Sequence, residues 1–436
     1  MTHSLRLFPS VRALLSIAFL GLITVLTGCK ATEELKTTAQ IRLVHAVPDA
    51  EALTIKIKDG DTKVASIATG STLTYTTFDS ASKDYEIRSA TDGTLLASRT
   101  LSFTGGSRYT IVLSGRRGSI TTTTLDEDSV SPSSGKFRFR VNNLANVGGV
   151  DVYFVALTAN VASEQAKYYS AASSGLTGYT EVSEGDYQLV LTTAGTKDIV
   201  YESVRQRFAA SISFSLVFTP GKSTKLTSNT VMLTYGESGT SSMLPNLRSR
   251  LRALHASPDG PLLAFRNGGT TMFSNVPYKG NSSYTTSLSG DRVLDIEAFG
   301  ITGAPVASGT FSLAGGEDYT MIAVNRAASV ELIKLDDNNL PSTLGKARVR
   351  FVNLSPDAGA ADMLVNFSKT VSSLPFKSAS AYQEFDTGTY TFVFNASNTN
   401  AAIASTAALD LDGSKTYTVF LLGLNGATET KVITDN

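Results

Sequence analysis

The stretch Arg42-Leu43-Val44-His45-Ala46-Val47-Pro48-Asp49 decides how this chain is read, because the chain repeats it. It returns 210 residues later as Arg252-Ala253-Leu254-His255-Ala256-Ser257-Pro258-Asp259. A related copy, Arg350-Phe351-Val352-Asn353-Leu354-Ser355-Pro356-Asp357, follows 98 residues after that. A worn copy, Arg140-Val141-Asn142-Asn143-Leu144, lies 98 residues after Arg42. Four copies related by 98 and 210 describe a pair of units that was itself duplicated.

Working outward from the repeat, apolar residues alternate in Ile41/Leu43 and in Leu53/Ile55/Ile57, the period of half-buried strands. Turn clusters such as Asp59-Gly60-Asp61, Asp92-Gly93 and Gly105-Gly106 separate these runs. A unit of this length with seven or eight short strands predicts a β-sandwich. No copy has a helical period able to cross between parallel strands, which excludes α/β folds. A β-propeller would need a shorter subperiod, and none is present.

The expected fold is therefore all-β: tandem immunoglobulin-like antiparallel β-sandwich domains, four copies as two duplicated pairs, behind a signal peptide. The boundaries fall at 1–28 for the leader, 29–40 for a tether, and 41–128, 135–240, 248–339 and 345–436 for the sandwiches. Linkers occupy 129–134, 241–247 and 340–344. Landmarks Tyr179, Tyr187 and Phe214 match Tyr382, Tyr390 and Tyr417 at a step of 203, so copy two carries seven extra residues, placed near 157–163. Independent beads on a string is the expected arrangement.

The chain is 436 residues long, too long for one core. Lys+Arg and Asp+Glu are both 38, so no basic excess invites nucleic acid. Cys29 is the only cysteine, which excludes disulfides within the chain, and tryptophan is absent. The N-terminal 12 residues carry Arg6 and Arg12 and no acid, and an apolar run follows from Ala13 to Leu26. This is the pattern of a secretory signal, shorter than the ~20 residues of a membrane-spanning helix. It ends in Leu26-Thr27-Gly28-Cys29, which resembles the lipobox of bacterial lipoproteins. That resemblance implies lipidation of Cys29 and attachment to a membrane, and Lys30 after the cysteine points to the outer membrane of the cell envelope.

Several segments resemble the bacterial "domain of unknown function 4397" family. They are His255-Ala256-Ser257-Pro258-Asp259, Asn353-Leu354-Ser355-Pro356-Asp357, Val150-Asp151-Val152-Tyr153, Leu374-Pro375-Phe376, Gly388-Thr389-Tyr390-Thr391 and Gly315-Gly316-Glu317-Asp318-Tyr319-Thr320. The resemblance covers nearly all of 41–436 and is weakest in copy two. It implies an exported, often lipid-anchored β-sandwich protein and carries over no catalytic residue.

Candidate sites are few. His45 and His255 share a strand face with core residues, and Asn143 and Asn353 fill the same slot. Histidine and asparagine can both bond the backbone of an adjoining turn, whereas asparagine cannot act as a general base, so the slot reads as a structural pin of the Pro-Asp turn at Asp49, Asp259 and Asp357. Arg42, Arg140, Arg252 and Arg350 fall on the opposite face; a solvated strand face is the simplest expectation, and pairing with a neighbouring domain's acid the other. Tyr109, Tyr319 and Tyr417 read as tyrosine corners. Asp126, Asp128, Asp336 and Asp337 offer oxygen ligands at equivalent junctions, where calcium could stiffen the joint or water simply solvate it. No cofactor is expected. The sequence predicts a non-catalytic, lipid-anchored spacer or protein-interaction surface, with a glycan- or peptide-binding module as the alternative; other envelope proteins or glycans are the candidate partners.

Overall fold

The computed structural model describes residues 37–127, 130–145, 147–163, 169–172, 175–234, 239–343 and 345–435. The leader and Cys29 lie outside the described residues. The first unit has eight strands: β1 Thr38–His45, β2 Leu53–Ile57, β3 Thr62–Ile67, β4 Thr76–Asp79, β5 Lys83–Ser89, β6 Leu95–Leu101, β7 Arg108–Arg116 and β8 Ser119–Asp126. They form two four-stranded sheets, ordered β4-β1-β7-β8 and β3-β2-β5-β6. Ile41, Leu43, Ile55, Tyr85 and Ile111 interdigitate between them. Neighbours pair antiparallel except β1 and β7, which run parallel with Ile41 opposite Tyr109. The long crossover that a parallel pair requires is here the rest of the sandwich rather than a helix.

The other three units repeat this order. The third, for example, has sheets that place Arg248–His255 beside Asp318–Val324 in parallel and Leu263–Asn267 beside Gly290–Ala298. Three boundaries move from the sequence expectation. β1 begins at Thr38, inside the expected tether. Residues 241–247 are not a linker throughout, since Ser241–Pro245 adds a fifth strand to a sheet of the second unit. Within the expected linker 340–344, Leu340 and Ser342 are buried rather than loose. In the second unit a long connection separates Val150–Val155 from Tyr169–Ala171, where the third unit needs only Gly268-Gly269 between strands. Ala159 and Val161 from this connection pack with Tyr153, Val155 and Val190 on the outer face of the sheet.

Beads on a string does not describe the chain. Each unit has a second apolar face, and neighbours bury those faces against each other. Val44, Ala46, Val112 and Leu125 of the first unit meet Leu144 and Val217 of the second. Leu254, Ala256, Ile322 and Val324 of the third meet Val352, Leu354, Phe420 and Leu422 of the fourth. The two pairs then abut end to end. Pro48, Leu144 and Pro220, from the turn ends of the first pair, surround a pocket with Leu340 of the second. The Asn339 amide donates to the Lys222 carbonyl at 2.6 Å. A cleft between the first and fourth units is lined by Asp49, Leu95, Arg116, Thr343, Glu384 and Ser414.

At the joint between the second and third units, Gly315 packs on the backbone of Asn246: a Cβ on it would fall 1.6 Å from the Asn246 carbonyl oxygen. Backbone cannot yield as a flexible side chain can. Gly315→Ala is therefore expected to destabilise the chain by about 1–3 kcal/mol or to loosen this joint. Gly118→Ala, where a Cβ meets nothing within 4 Å, should leave thermal unfolding unchanged. Equal melting curves for the two variants would refute the close approach.

Candidate functional site

The polar residues of the repeat gather at the pair interfaces. On β1 and its counterparts, alternate residues face the sandwich core and the partner unit. Arg42, Arg252 and Arg350 take the partner-facing positions and are 1%, 3% and 2% exposed. Arg140 is likewise buried. The expectation of a solvated strand face is corrected: each arginine is buried, and the other expectation, a neighbouring domain's acid, describes the contact for Arg140, Arg252 and Arg350, while Arg42 meets Glu127 of its own unit.

In the second pair the contact is reciprocal. Arg252 of unit three bonds Asp435 of unit four, and Arg350 of unit four bonds Asp337 of unit three. A threonine on the adjoining strand orients each partner. Arg252 Nε donates to Thr320 Oγ1 at 2.7 Å, and Thr320 Oγ1 donates to Asp337 Oδ2 at 2.6 Å. Arg350 Nε donates to Thr418 Oγ1 at 2.9 Å, and Thr418 Oγ1 donates to Asp435 Oδ2 at 2.6 Å. A tyrosine ring closes each side: Tyr284 lies 4.7 Å from the Arg252 guanidinium, and Tyr382 lies 4.8 Å from that of Arg350. Their neighbours Arg250 and Arg348, two residues earlier on the same face, sit on the same rings at 4.6 and 4.5 Å.

The first pair solves the same problem with one described acid. Glu127, the counterpart of Asp337, sends Oε1 to Arg42 at 3.3 Å and Oε2 to Arg140 at 3.2 Å. A single carboxylate thus spans both guanidinium groups. Thr110 and Ser215 accept from Arg42 and Arg140 Nε at 3.1 and 2.9 Å. Arg138 and Arg140 lie over Tyr179, and Arg42 over Tyr75. Gln40 stands where the other copies have the earlier arginine, and Arg108 reaches the Tyr75 ring instead.

Burial alone would raise the Asp337 carboxyl, but Arg350 and Arg252 outweigh it and hold the group below the usual carboxylate range. Burial prevails at Asp435, which is raised. At Asp435 the charge of Asp337 adds to burial, whereas Asp337 has two guanidinium groups, the Thr320 hydroxyl and, at 2.6 Å, the Tyr284 hydroxyl to hold its charge. Asp435 and Asp337 in turn raise Arg252 against the cost of its burial.

The remaining repeat residues are structural. The Val47 amide donates to His45 Nδ1 at 3.3 Å, and His45 Nε2 reaches the Glu51 carbonyl at 3.0 Å. His255 does the same with the Ser257 amide and the Pro261 carbonyl. Asn143 and Asn353 copy these bonds with an amide, accepting from Ala145 and Ser355 and donating to Gly148 and Gly359. The pattern needs a neutral imidazole protonated on Nε2. Asp49, Asp259 and Asp357 each cap the last hairpin of their unit, accepting from the amides of Arg117, Ala327 and Asn425. The tyrosine corners are formed: Tyr109, Tyr319 and Tyr417 accept the amides of Thr104, Ala314 and Asp412.

The calcium candidates are not brought together. Asp336 and Asp337 are successive strand residues and so point to opposite faces, Asp336 into solvent and Asp337 into the arginine cluster. Asp126 is exposed at the end of β8, and Asp128 lies outside the described residues. Among the described residues no group of three or more His, Cys, Asp or Glu is placed to hold a metal ion.

Residues 39–153, 249–363 and 355–436 match the family described as Domain of unknown function (DUF4397). The chain belongs to that family. Copy two is matched only through Tyr153, in keeping with its inserted connection. No curated protein matches the chain. Among solved structures, the Bacillus anthracis TIE protein is similar at 9% identity over 90% of this chain and 68% of its own, with a TM-score of 0.16. The carbohydrate-binding module CBMbc (family CBM26) from Eubacterium rectale Amy13K, solved with maltoheptaose, is similar at 16% identity over 47% of this chain and all of its own, with a TM-score of 0.15. In this DUF4397 protein, then, the repeat motif divides into an interface arginine, a turn pin and a hairpin cap.

The sequence carried a sign of the covered face. Ile111-Val112-Leu113, Met321-Ile322-Ala323-Val324 and Val419-Phe420-Leu421-Leu422 are unbroken apolar runs, which mark strands buried on both sides. Two outcomes follow. Asp337→Asn removes the charge facing two buried guanidinium groups and should cost about 3–5 kcal/mol in denaturant unfolding, while Asp336→Asn should stay within about 0.5 kcal/mol. Equal costs would dismiss the cluster as a stabilising contact. Burial also lowers His45 and His255 below the ordinary value of 6.5. A depressed histidine contributes stability that is complete above 6.5 and is lost as pH falls towards the folded-state value. The paired change His45→Asn and His255→Asn should flatten the unfolding free energy over that acid window; an unchanged slope would disprove the neutral pin.

Proposed function

We propose that this DUF4397 chain is a non-catalytic protein of the bacterial cell envelope, anchored by lipid on Cys29, whose paired sandwiches act as a stiff spacer or interaction surface. The observation that carries this reading is the commitment of the repeat's polar residues. His45, His255, Asn143, Asn353, Arg140, Arg252, Arg350, Asp49, Asp259 and Asp357 of the repeat each spend the side chain on a turn, a hairpin or the partner sandwich. A residue so held serves shape, not turnover. Leu26-Thr27-Gly28-Cys29 behind a short apolar leader supports the anchor, and the end-to-end joint at Gly315 and Leu340 supports stiffness.

Growing cells with an alkyne-tagged fatty acid tests the anchor. The wild-type chain should take up the tag and Cys29→Ala should not. An untagged wild-type chain would remove the lipid from this account and leave the sandwiches without an attachment.

A further inference from the structure

The four units carry the same turn between the strands equivalent to β5 and β6, and one backbone bond marks its place in each. The amide of residue 90 donates to the carbonyl of residue 52, that of 194 to 149, that of 299 to 262, and that of 397 to 360. The side chains at these paired positions are Ala90 with Ala52, Ala194 with Gly149, and Ser397 with Ala360. In unit three they are Phe299 with Leu262. Two residues further on, Asp92, Thr196 and Thr399 correspond to Ile301. Three positions that are small or polar in three copies thus become large and apolar in one.

These side chains do not face the core. Leu262, Phe299 and Ile301 are 43%, 49% and 55% exposed, and Val306 beside them is also exposed. Monomer surfaces scatter such residues singly, so a cluster on one turn calls for an occupant. Its position adds to the case. The third unit meets the second at its Arg248 end, where Asn246 touches Gly315, whereas the Phe299 turn lies at the opposite end with Pro258 and Asp259. It is the outward tip of the second pair.

The chemistry of the tip selects the occupant. From Phe299 to Phe311 there is no charged residue. The nearby Glu297 carboxylate is buried and satisfied by Arg266 at 2.7 Å and the Gly303 amide at 2.8 Å. The cluster has no tyrosine hydroxyl, indole or guanidinium, the polar handles on which protein hot spots rely. It has no cation for an anionic headgroup either. The charged groups at the same end are engaged, Asp259 by the Ala327 amide at 2.8 Å and Arg326 by Asp357 at 2.7 Å, and the uncharged apolar turn between them and solvent fits hydrocarbon. We propose that Leu262, Phe299 and Ile301 insert into the acyl region of a zwitterionic lipid bilayer, giving the chain a membrane contact of its own at the end of unit three. This contact does not depend on Cys29.

The test uses residues 30–436, which hold every strand and core cluster among the described residues and lack the leader and the cysteine. Because the chain has no tryptophan, Phe299→Trp reports on the tip alone. With phosphatidylcholine vesicles its emission should shift to the blue, be quenched by brominated acyl chains, and the protein should float with the vesicles. The triple variant Leu262→Ala, Phe299→Ser, Ile301→Thr, which installs residues found in the sibling turns, should partition at least tenfold more weakly while melting as the parent does. Absence of shift and flotation would overturn the proposal, as would equal partitioning of the triple variant. So would a shift that needs no vesicles and grows with protein concentration, which would assign the tip to a second copy of the chain. Binding only to anionic vesicles would refute it too.

Discussion

A guanidinium group taken out of water must meet a carboxylate, and in the second pair the carboxylate that each interface arginine meets belongs to the next domain. Arg252 to Asp435 and Arg350 to Asp337 are the two halves of one exchange. Burying four charges is costly in itself, and the attraction between them offsets the cost only if each oxygen and each N–H is placed. Thr320, Thr418, Tyr284 and Tyr382 do the placing. The apolar surface around the cluster, from Leu254 to Phe420, supplies the drive to associate, and the charges fix which way round the two sandwiches sit.

This division of labour accounts for the repeat motif position by position. One strand carries Ile41 and Leu43 into its own core and Arg42 and Val44 into its neighbour's. The last residue of the strand pins the turn, and the aspartate beyond it ties that turn to the hairpin of β7 and β8. Within eight residues the sequence specifies a core, a partner and an end cap. The second unit relaxes the pattern where its strand Val150–Val155 is covered by the inserted connection, and there Tyr153 and Val155 gain a small core of their own.

Much of this was legible without coordinates. The period of two in β1 and the turn clusters gave the sandwich, the 98- and 210-residue steps gave the number and pairing of units, and the exchange of histidine for asparagine pointed to the turn-pinning bonds that His45 and His255 make. What covers the second face of β1 was not legible from alternation, which sorts residues into two faces but cannot say whether water or protein lies beyond the outer one. The unbroken runs Met321–Val324 and Val419–Leu422 answer that question, because a strand apolar on both sides needs two neighbours. The joint at Gly315 and the fifth strand Ser241–Pro245 depend on how separate units approach one another, and short polar stretches such as these do not announce it. The outward tip at Phe299 becomes visible only when the equivalent turns are matched through their backbone bonds.

The exchanged charges also bear on how such a chain is inherited. A sandwich added or lost alone would leave an arginine of its neighbour facing no acid, or an acid facing no arginine, inside a surface built to exclude water. The pair is the smallest piece that closes on itself. Loss of unit three or unit four alone would strand charges that loss of both would not, and the 210-residue register between the first and third units is the trace of a doubling of the pair.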